Sequence, residues 1–339
     1  MTEENTVNLN RRTFVGMSIA AAAATKVMAK APKPTIDPLK APRNRFWVAA
    51  LSPLNSRGDF DNGANDAMLA AWKEAGADGV LLLGTTGAGQ SFSVAERKRI
   101  LENASRNKHG LDFIVGTGTA NIAETIELSK HAADNGADSV LIVPPYYEKN
   151  PKGEGVVAYF DQVFAQIKTP VRYYHIPRTT GVPVDASVFK ALTKYPNFVG
   201  VKDSNGDAAE YEKIVAAAPG LNVLTGTDNL LEASLGHGNG CILASGNIYA
   251  KYIAEVFKAN RAGQDIKPAL ARLQGAQSAY RTAMGAQAGG GGGGEAVNKY
   301  ALSKFLGIDC AYVRPPAVPV ADDLKPKIQA AIEHLKTYA

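Results

Sequence analysis

Glu74-Ala75-Gly76-Ala77-Asp78-Gly79-Val80-Leu81 recurs sixty residues later as Asp134-Asn135-Gly136-Ala137-Asp138-Ser139-Val140-Leu141. In both copies a helix-like run reaches a glycine and an apolar strand begins at once, so the glycine reads as a helix C-cap. Leu235-Gly236-His237-Gly238-Asn239-Gly240-Cys241-Ile242 is a weaker third copy. Sixty residues is the length of two strand–helix units. The repeat therefore belongs to the fold and carries no chemistry of its own.

Working outward from the repeat, short apolar runs rich in β-branched residues predict strands at 46–51, 79–83, 112–115, 138–143, 171–175, 198–202, 222–225 and 241–244. Amphipathic runs lie between them, at 94–108, 122–135 and 208–217 among others. Alternating strand and helix argues for a parallel sheet covered by helices. Eight strands in about 200 residues match a (β/α)8 barrel, with a doubly wound open sheet as the alternative. The barrel is expected over 45–263. A helical extension is expected over 264–339, with helices at 266–286, 296–306 and 322–337. The glycine run at 289–294 reads as a mobile loop near the barrel mouth, because consecutive glycines lose too much entropy in a rigid element.

Residues 1–31 read as an address and not as fold. Arg11 and Arg12 precede an alanine-rich apolar run at 15–25, Lys26 follows it, and Ala29 and Ala31 offer a cleavage site. The run is too short for a membrane span, and the layout is that of a twin-arginine export signal. The expected location is periplasmic, with no stable membrane association after cleavage. Pro32, Pro34, Pro38 and Pro42 make 32–44 an extended linker.

Composition narrows the function classes. The chain has 339 residues, 45% hydrophobic and 20% charged, in the range of a soluble globular enzyme. Of the formal charge of +5, the signal region holds +2, and the remainder is too small to argue for nucleic acid. Cys241 and Cys310 make no metal pattern and read as two buried thiols.

In a barrel the chemistry sits at the carboxyl ends of the strands. Phe198-Val199-Gly200-Val201-Lys202-Asp203-Ser204 ends a buried strand on a lysine. Burial disfavours the charged form of an amine, and an uncharged amine is a nucleophile that forms Schiff bases with ketones. Gly84-Thr85-Thr86-Gly87 lets backbone N–H groups and hydroxyls converge on an anion such as a carboxylate. Pro144-Pro145-Tyr146-Tyr147 and Tyr173-Tyr174-His175-Ile176-Pro177 put phenols at two neighbouring strand ends, where they can relay protons. If Tyr174 points into the barrel, His175 points to the helices and reads as a satisfied core histidine. Ala244-Ser245-Gly246-Asn247 is a polar strand end placed to close the pocket.

Taken in order, Gly84-Thr85-Thr86-Gly87, Pro145-Tyr146-Tyr147, Tyr174-His175-Ile176-Pro177 and Gly200-Val201-Lys202-Asp203 resemble the dihydrodipicolinate synthase and N-acetylneuraminate lyase family. Gly226-Thr227-Asp228 and Asn247 also fall in the family's order, and the resemblance runs from Phe46 to the C-terminus. It implies a (β/α)8 barrel with C-terminal helices and class I aldolase chemistry on pyruvate or another 2-oxo acid, without cofactor or metal. It assigns Lys202 as the Schiff-base nucleophile, Tyr174 as the proton shuttle, and Tyr147 as the tyrosine that reaches a neighbouring subunit's site. Thr85, Thr86, Ser204, Asn247 and the main-chain carbonyl of Ile242 are assigned to substrate binding. A homodimer or homotetramer is implied.

The departures concern the second substrate. Ala88 stands where the family usually has Glu, and Asn229 where the sialic-acid branch often has Glu. Thr179 stands where the synthase branch has an arginine, and Arg178 precedes it. On an extended segment Arg178 would face the other way, so the chain is expected to be a poor dihydrodipicolinate synthase. A true 4-hydroxy-tetrahydrodipicolinate synthase, a 2-keto-3-deoxy sugar acid dehydratase or deaminase, and a non-catalytic 2-oxo acid binding protein remain the alternatives.

Overall fold

In the computed structural model of the chain, residues 43–284 and 294–338 are described. The export segment and most of the proline-rich linker and of the glycine run lie outside them. The strands β1 (Phe46–Ala49), β2 (Gly79–Leu82), β3 (Asp112–Gly116), β4 (Ser139–Ile142), β5 (Val171–His175), β6 (Phe198–Asp203), β7 (Asn222–Thr225) and β8 (Cys241–Leu243) pair in parallel in chain order. Trp47 of β1 lies against Ile242 of β8, so the sheet closes into a (β/α)8 barrel and the open sheet is excluded.

Each strand is followed by helix: α1 (Asn62–Glu74), α2 (Val94–Ala104), α3 (Ile122–Asp134), α4 (Gly153–Phe164), α5 (Pro177–Thr180), α6 (Ala186–Leu192), α7 (Ala208–Ala217), α8 (Leu231–Gly236) and α9 (Gly246–Arg261). Beyond the barrel come α10 (Lys267–Met284), α11 (Gly294–Leu306) and α12 (Lys325–Lys336). The helix expected from 322 starts three residues later, at a first turn that holds Pro326.

The repeated octapeptide explains how the barrel turns its corners. Gly76, Gly136 and Gly238 have φ of 93°, 81° and 66°, which only glycine adopts without strain. Past each, the next N–H reaches back to the helix: Ala77 to Trp72 O at 3.0 Å, Ala137 to Ala132 O at 3.0 Å and Asn239 to Ser234 O at 2.9 Å. That is the Schellman closure, which satisfies carbonyls a helix end leaves open. The repeated aspartates finish the job on the sheet. Asp78 Oδ2 accepts from Phe46 N at 2.8 Å and Asp138 Oδ2 from Phe113 N at 2.8 Å, so each holds an N–H at the start of a preceding strand.

Strand alternation sorts the core into two layers. Trp47, Ala49, Leu81, Ile114, Leu141, Leu224 and Ile242 fill the barrel with Tyr174. Phe46, Val48, Val80, Phe113, Val140, Tyr173 and Val201 face the helices. Each buried Val, Leu, Ile or Phe among them contributes about 1.5–3 kcal/mol. Cys241 and Cys310 are both buried free thiols.

The C-terminal helices pack on the barrel through α9, which α10 and α11 contact. Arg314 ties the last loop back to the barrel mouth. Its guanidinium donates to Gly58 O at 2.8 Å, Ser91 O at 2.9 Å and Glu96 Oε1 at 2.7 Å, and lies 4.6 Å from the Phe92 ring centroid.

Candidate active site

The carboxyl ends of β2, β5, β6 and β7 surround one cavity of about 420 Å3. Thr85, Thr86, Tyr174, Lys202, Ser204 and Thr227 line it, with Arg178 and Thr179 at its rim. Tyr174 and Lys202 are register partners on adjacent strands and point the same way, into the barrel. Lys202 is 4% exposed, and its Nζ lies 4.4 Å from the centroid of the Tyr174 ring.

Gly226 makes room for this arrangement. A Cβ there would meet Ser204 Oγ at 2.0 Å and Lys202 Cε at 2.9 Å. A side chain at this position would push the nucleophile aside. Strain is stored next door: Leu83 and Ala88, which bracket Gly84-Thr85-Thr86-Gly87, hold left-handed φ of 57° and 48°. Such residues persist only where surrounding structure imposes them, and they cluster at functional sites.

Burial raises the Tyr174 phenol, but the Lys202 ammonium and hydrogen bonds with Thr85, Ser204 and Lys202 outweigh it and hold the phenol below its ordinary pKa. A phenol so placed can exchange a proton with the amine and with an oxygen bound in the cavity. Thr85 and Ser204 hold the phenol in place through the same bonds.

The remaining expected residues are spread more widely. Tyr147 is 81% exposed and stands away from the cavity of its own chain. The contact expected of Ile242 is its main-chain carbonyl; its side chain is sealed in the barrel interior. Asn247 is not brought to the cavity either. Its amide accepts from Leu51 N at 3.0 Å and donates to Ala49 O and Ala244 O, both at 2.8 Å, so it stitches the start of α9 to the end of β1. His175 faces the helices as expected, with Nδ1 2.8 Å from Asp203 Oδ1 and its ring edge-on to Phe189.

One expectation is corrected. Residues 177–180 are not extended but form the turn of helix α5, capped by Gly181 at φ 66°. Successive residues on a helix differ by about 100° and not 180°. Arg178 and Thr179 therefore both reach the rim of the cavity. The signal was present in the sequence: a proline at the first helical position and a glycine just past the last.

A second cavity of about 180 Å3 opens against the same Thr85 and Tyr174, with Leu141, Val143, Tyr146 and Arg97 on its other walls. Arg97 is 5% exposed and donates to Gly116 O at 2.6 Å; burial lowers its pKa to about 10.

A sequence profile of the Dihydrodipicolinate synthetase family matches residues 43–335. The 4-hydroxy-tetrahydrodipicolinate synthase of Acidiphilium cryptum is 32% identical over 291 residues, 85% of this chain and 97% of that protein. An uncharacterized DapA-like lyase of Chloroflexus aurantiacus is 38% identical over 231 residues, 66% of this chain and 77% of that protein. Among solved structures, the prophage protein YagE of E. coli K12 in complex with pyruvate aligns at a TM-score of 0.76 and 27% identity, covering 86% of this chain and 98% of that one.

Proposed function

Because the chain belongs to the dihydrodipicolinate synthetase family, we propose that it is a lyase of the class I aldolase type that holds pyruvate or another 2-oxo acid as a Schiff base on Lys202. The observation that carries this reading is the buried Lys202 amine set 4.4 Å from the ring of Tyr174 in a cavity at the barrel mouth. The Nζ lone pair attacks the keto carbon, and the carbonyl oxygen takes a proton from Tyr174. The hydroxyl so formed takes a second proton, released by Nζ and relayed through Tyr174, and leaves as water as the C=N bond forms. The iminium draws electrons from the neighbouring carbon, so a C–C bond there breaks, or forms after loss of a proton as the enamine. Thr85 and Thr86 hold the carboxylate. Hydrolysis of the iminium returns the free amine.

Product analysis tests this reading. A panel of 2-oxo acids is incubated with the protein, with and without aldehydes, and cleavage, condensation and loss of water or ammonia are scored. Turnover of a C–C bond supports the aldolase reading. Loss of water or ammonia alone makes the protein a dehydratase or deaminase on the same Schiff base. Binding without turnover makes it a 2-oxo acid binding protein.

Arg178 at the cavity rim favours a second, narrower reading, in which the partner aldehyde carries a carboxylate. An arginine–carboxylate bond contributes about 1.5–3 kcal/mol, or roughly 10- to 150-fold in selectivity. Aspartate semialdehyde is the aldehyde to try first. Efficient condensation with pyruvate that collapses in Arg178→Ala supports this reading, and poor condensation in the natural protein rejects it.

The reading extends to the protein's place in the cell. Arg11 and Arg12 before the short apolar run support export by the twin-arginine route and a periplasmic mature protein. Replacing both by lysine is expected to leave precursor in the cytoplasm; unchanged periplasmic protein contradicts export by this route.

A further inference from the structure

We propose that His175 and Asp203 form a positioning pair that holds Tyr174 and Lys202 opposite each other. The inference rests on the Schiff-base reading above and adds to it a structural reason for the site's geometry.

It begins with a break in the ladder between β5 and β6. Val171 pairs with Phe198, but Arg172 pairs with Gly200, so Val199 has no register partner. Without that extra residue the ladder would run on to put Tyr174 beside Val201 and His175 beside Lys202. A slip of one residue turns a side chain to the opposite face of the sheet. Val201 would then share the inward face with Tyr174, and Lys202, beside His175, would turn outward to the helices and away from the phenol. The inserted residue is what makes Tyr174 and Lys202 partners, as bulges do when they re-aim a side chain near a site.

A bulge needs something to hold it, and the outer face supplies it. His175 and Asp203 are the next register partners, one residue past the reacting pair, and point away from the cavity. His175 Nδ1 stands 2.8 Å from Asp203 Oδ1, with the two side chains 6% and 0% exposed. Asp203 Oδ1 accepts also from Asn205 N at 3.2 Å, while Oδ2 has no hydrogen-bond partner among the described residues. A buried carboxylate left so lightly held depends on its one side-chain partner, because an unpaired buried charge is strongly destabilising. The bond forms only in the shifted register, so it selects that register. The backbone follows: Ser204 N donates to His175 O at 2.8 Å, and Gly226 N to Asp203 O at 2.6 Å, which joins β5, β6 and the loop after β7 just behind Lys202.

The test compares two replacements of one residue. His175→Phe keeps a ring but donates no hydrogen bond; His175→Asn keeps a short N–H donor. Each is mixed with saturating pyruvate, quenched with borohydride over time, and the adduct at Lys202 counted, with KM for pyruvate and melting temperature recorded. A charge-assisted hydrogen bond sets the expected size. His175→Phe should form adduct about ten-fold more slowly or worse at a KM changed less than about three-fold, and His175→Asn should return to within about three-fold of the natural rate. If His175→Phe does not fold, His175→Ser, too short to reach the carboxylate, takes its place with the same expectation. A natural rate in the folded Phe or Ser variant overturns the proposal, as does an Asn variant as slow as they are. If the natural protein itself forms no adduct, the Schiff-base reading fails instead.

Discussion

Tyr174 stands between two opposing influences. Burial pushes its phenol up, and the adjoining Lys202 ammonium together with three hydrogen bonds pulls it further down. The result is a proton donor and acceptor that needs no movement to reach the amine. Tyr174→Phe is therefore expected to lower kcat by about 10²- to 10⁴-fold, the usual contribution of a positioned acid–base group, while the barrel's melting temperature stays close to natural. A kcat within a few-fold of natural would remove Tyr174 from the proton path. At this scale the sequence was informative where strand ends carry unusual residues. Lys202 after Gly200-Val201, the Thr85-Thr86 pair and Tyr174 could all be read, because a barrel brings strand ends together whatever lies between them. Arg178 was misjudged because its direction depends on whether four residues coil or extend. The role of Asn247 was hidden for another reason: an amide at a strand end looks the same whether it meets a ligand or, as here, Leu51 N and Ala49 O.

Elements were legible in proportion to how apolar and how long they are. The strands 171–175 and 222–225 agree with the observed ends, and the others differ by a residue or two, where buried strands shade into equally buried loops. The bulge at Val199 left no mark in the sequence, since Phe198-Val199-Gly200-Val201 reads as the same apolar run in either register. The start of α2 is better marked. Ser93 N donates to Glu96 Oε2 at 2.8 Å and Glu96 N to Ser93 Oγ at 3.3 Å, a reciprocal capping box. Arg314, from the loop before α12, bonds the same carboxylate, and with the Ser93 bonds lowers the Glu96 pKa to about 2. A carboxylate whose folded pKa is depressed stabilises the fold above its unfolded pKa, and loses that contribution as pH falls towards the folded one. The window is thus from about 4.5 down to about 2. Because the Glu96 side chain is 28% exposed, screening leaves about 1–2 kcal/mol. Glu96→Gln should flatten the loss of stability over that window by this amount, read from urea midpoints at stepped pH. An unchanged pH dependence would mean that the Arg314 tie contributes nothing to acid stability.

At the scale of the whole molecule, the barrel leaves Tyr147 81% exposed in the loop after β4, outside the lining of its own chain's cavity. An exposed aromatic at a strand end suits a contact with a second copy of the chain. We expect a homodimer or a dimer of dimers that buries more than about 1,000 Å2 in total. Tyr147→Ala should lower kcat and shift the assembly towards smaller species by light scattering; a fully active monomer contradicts this. The architecture was predictable because the octapeptide repeat and the alternation of strand and helix are properties of the chain itself, whereas assembly depends on a surface whose partner the sequence does not mark. The central claim remains the covalent one, and it is reached most directly by reducing the protein with borohydride in the presence of pyruvate and mapping the modified peptide by mass spectrometry. The account predicts a single reduced pyruvate adduct on Lys202, absent from the protein reduced without pyruvate. No adduct, or an adduct on another lysine, would contradict it.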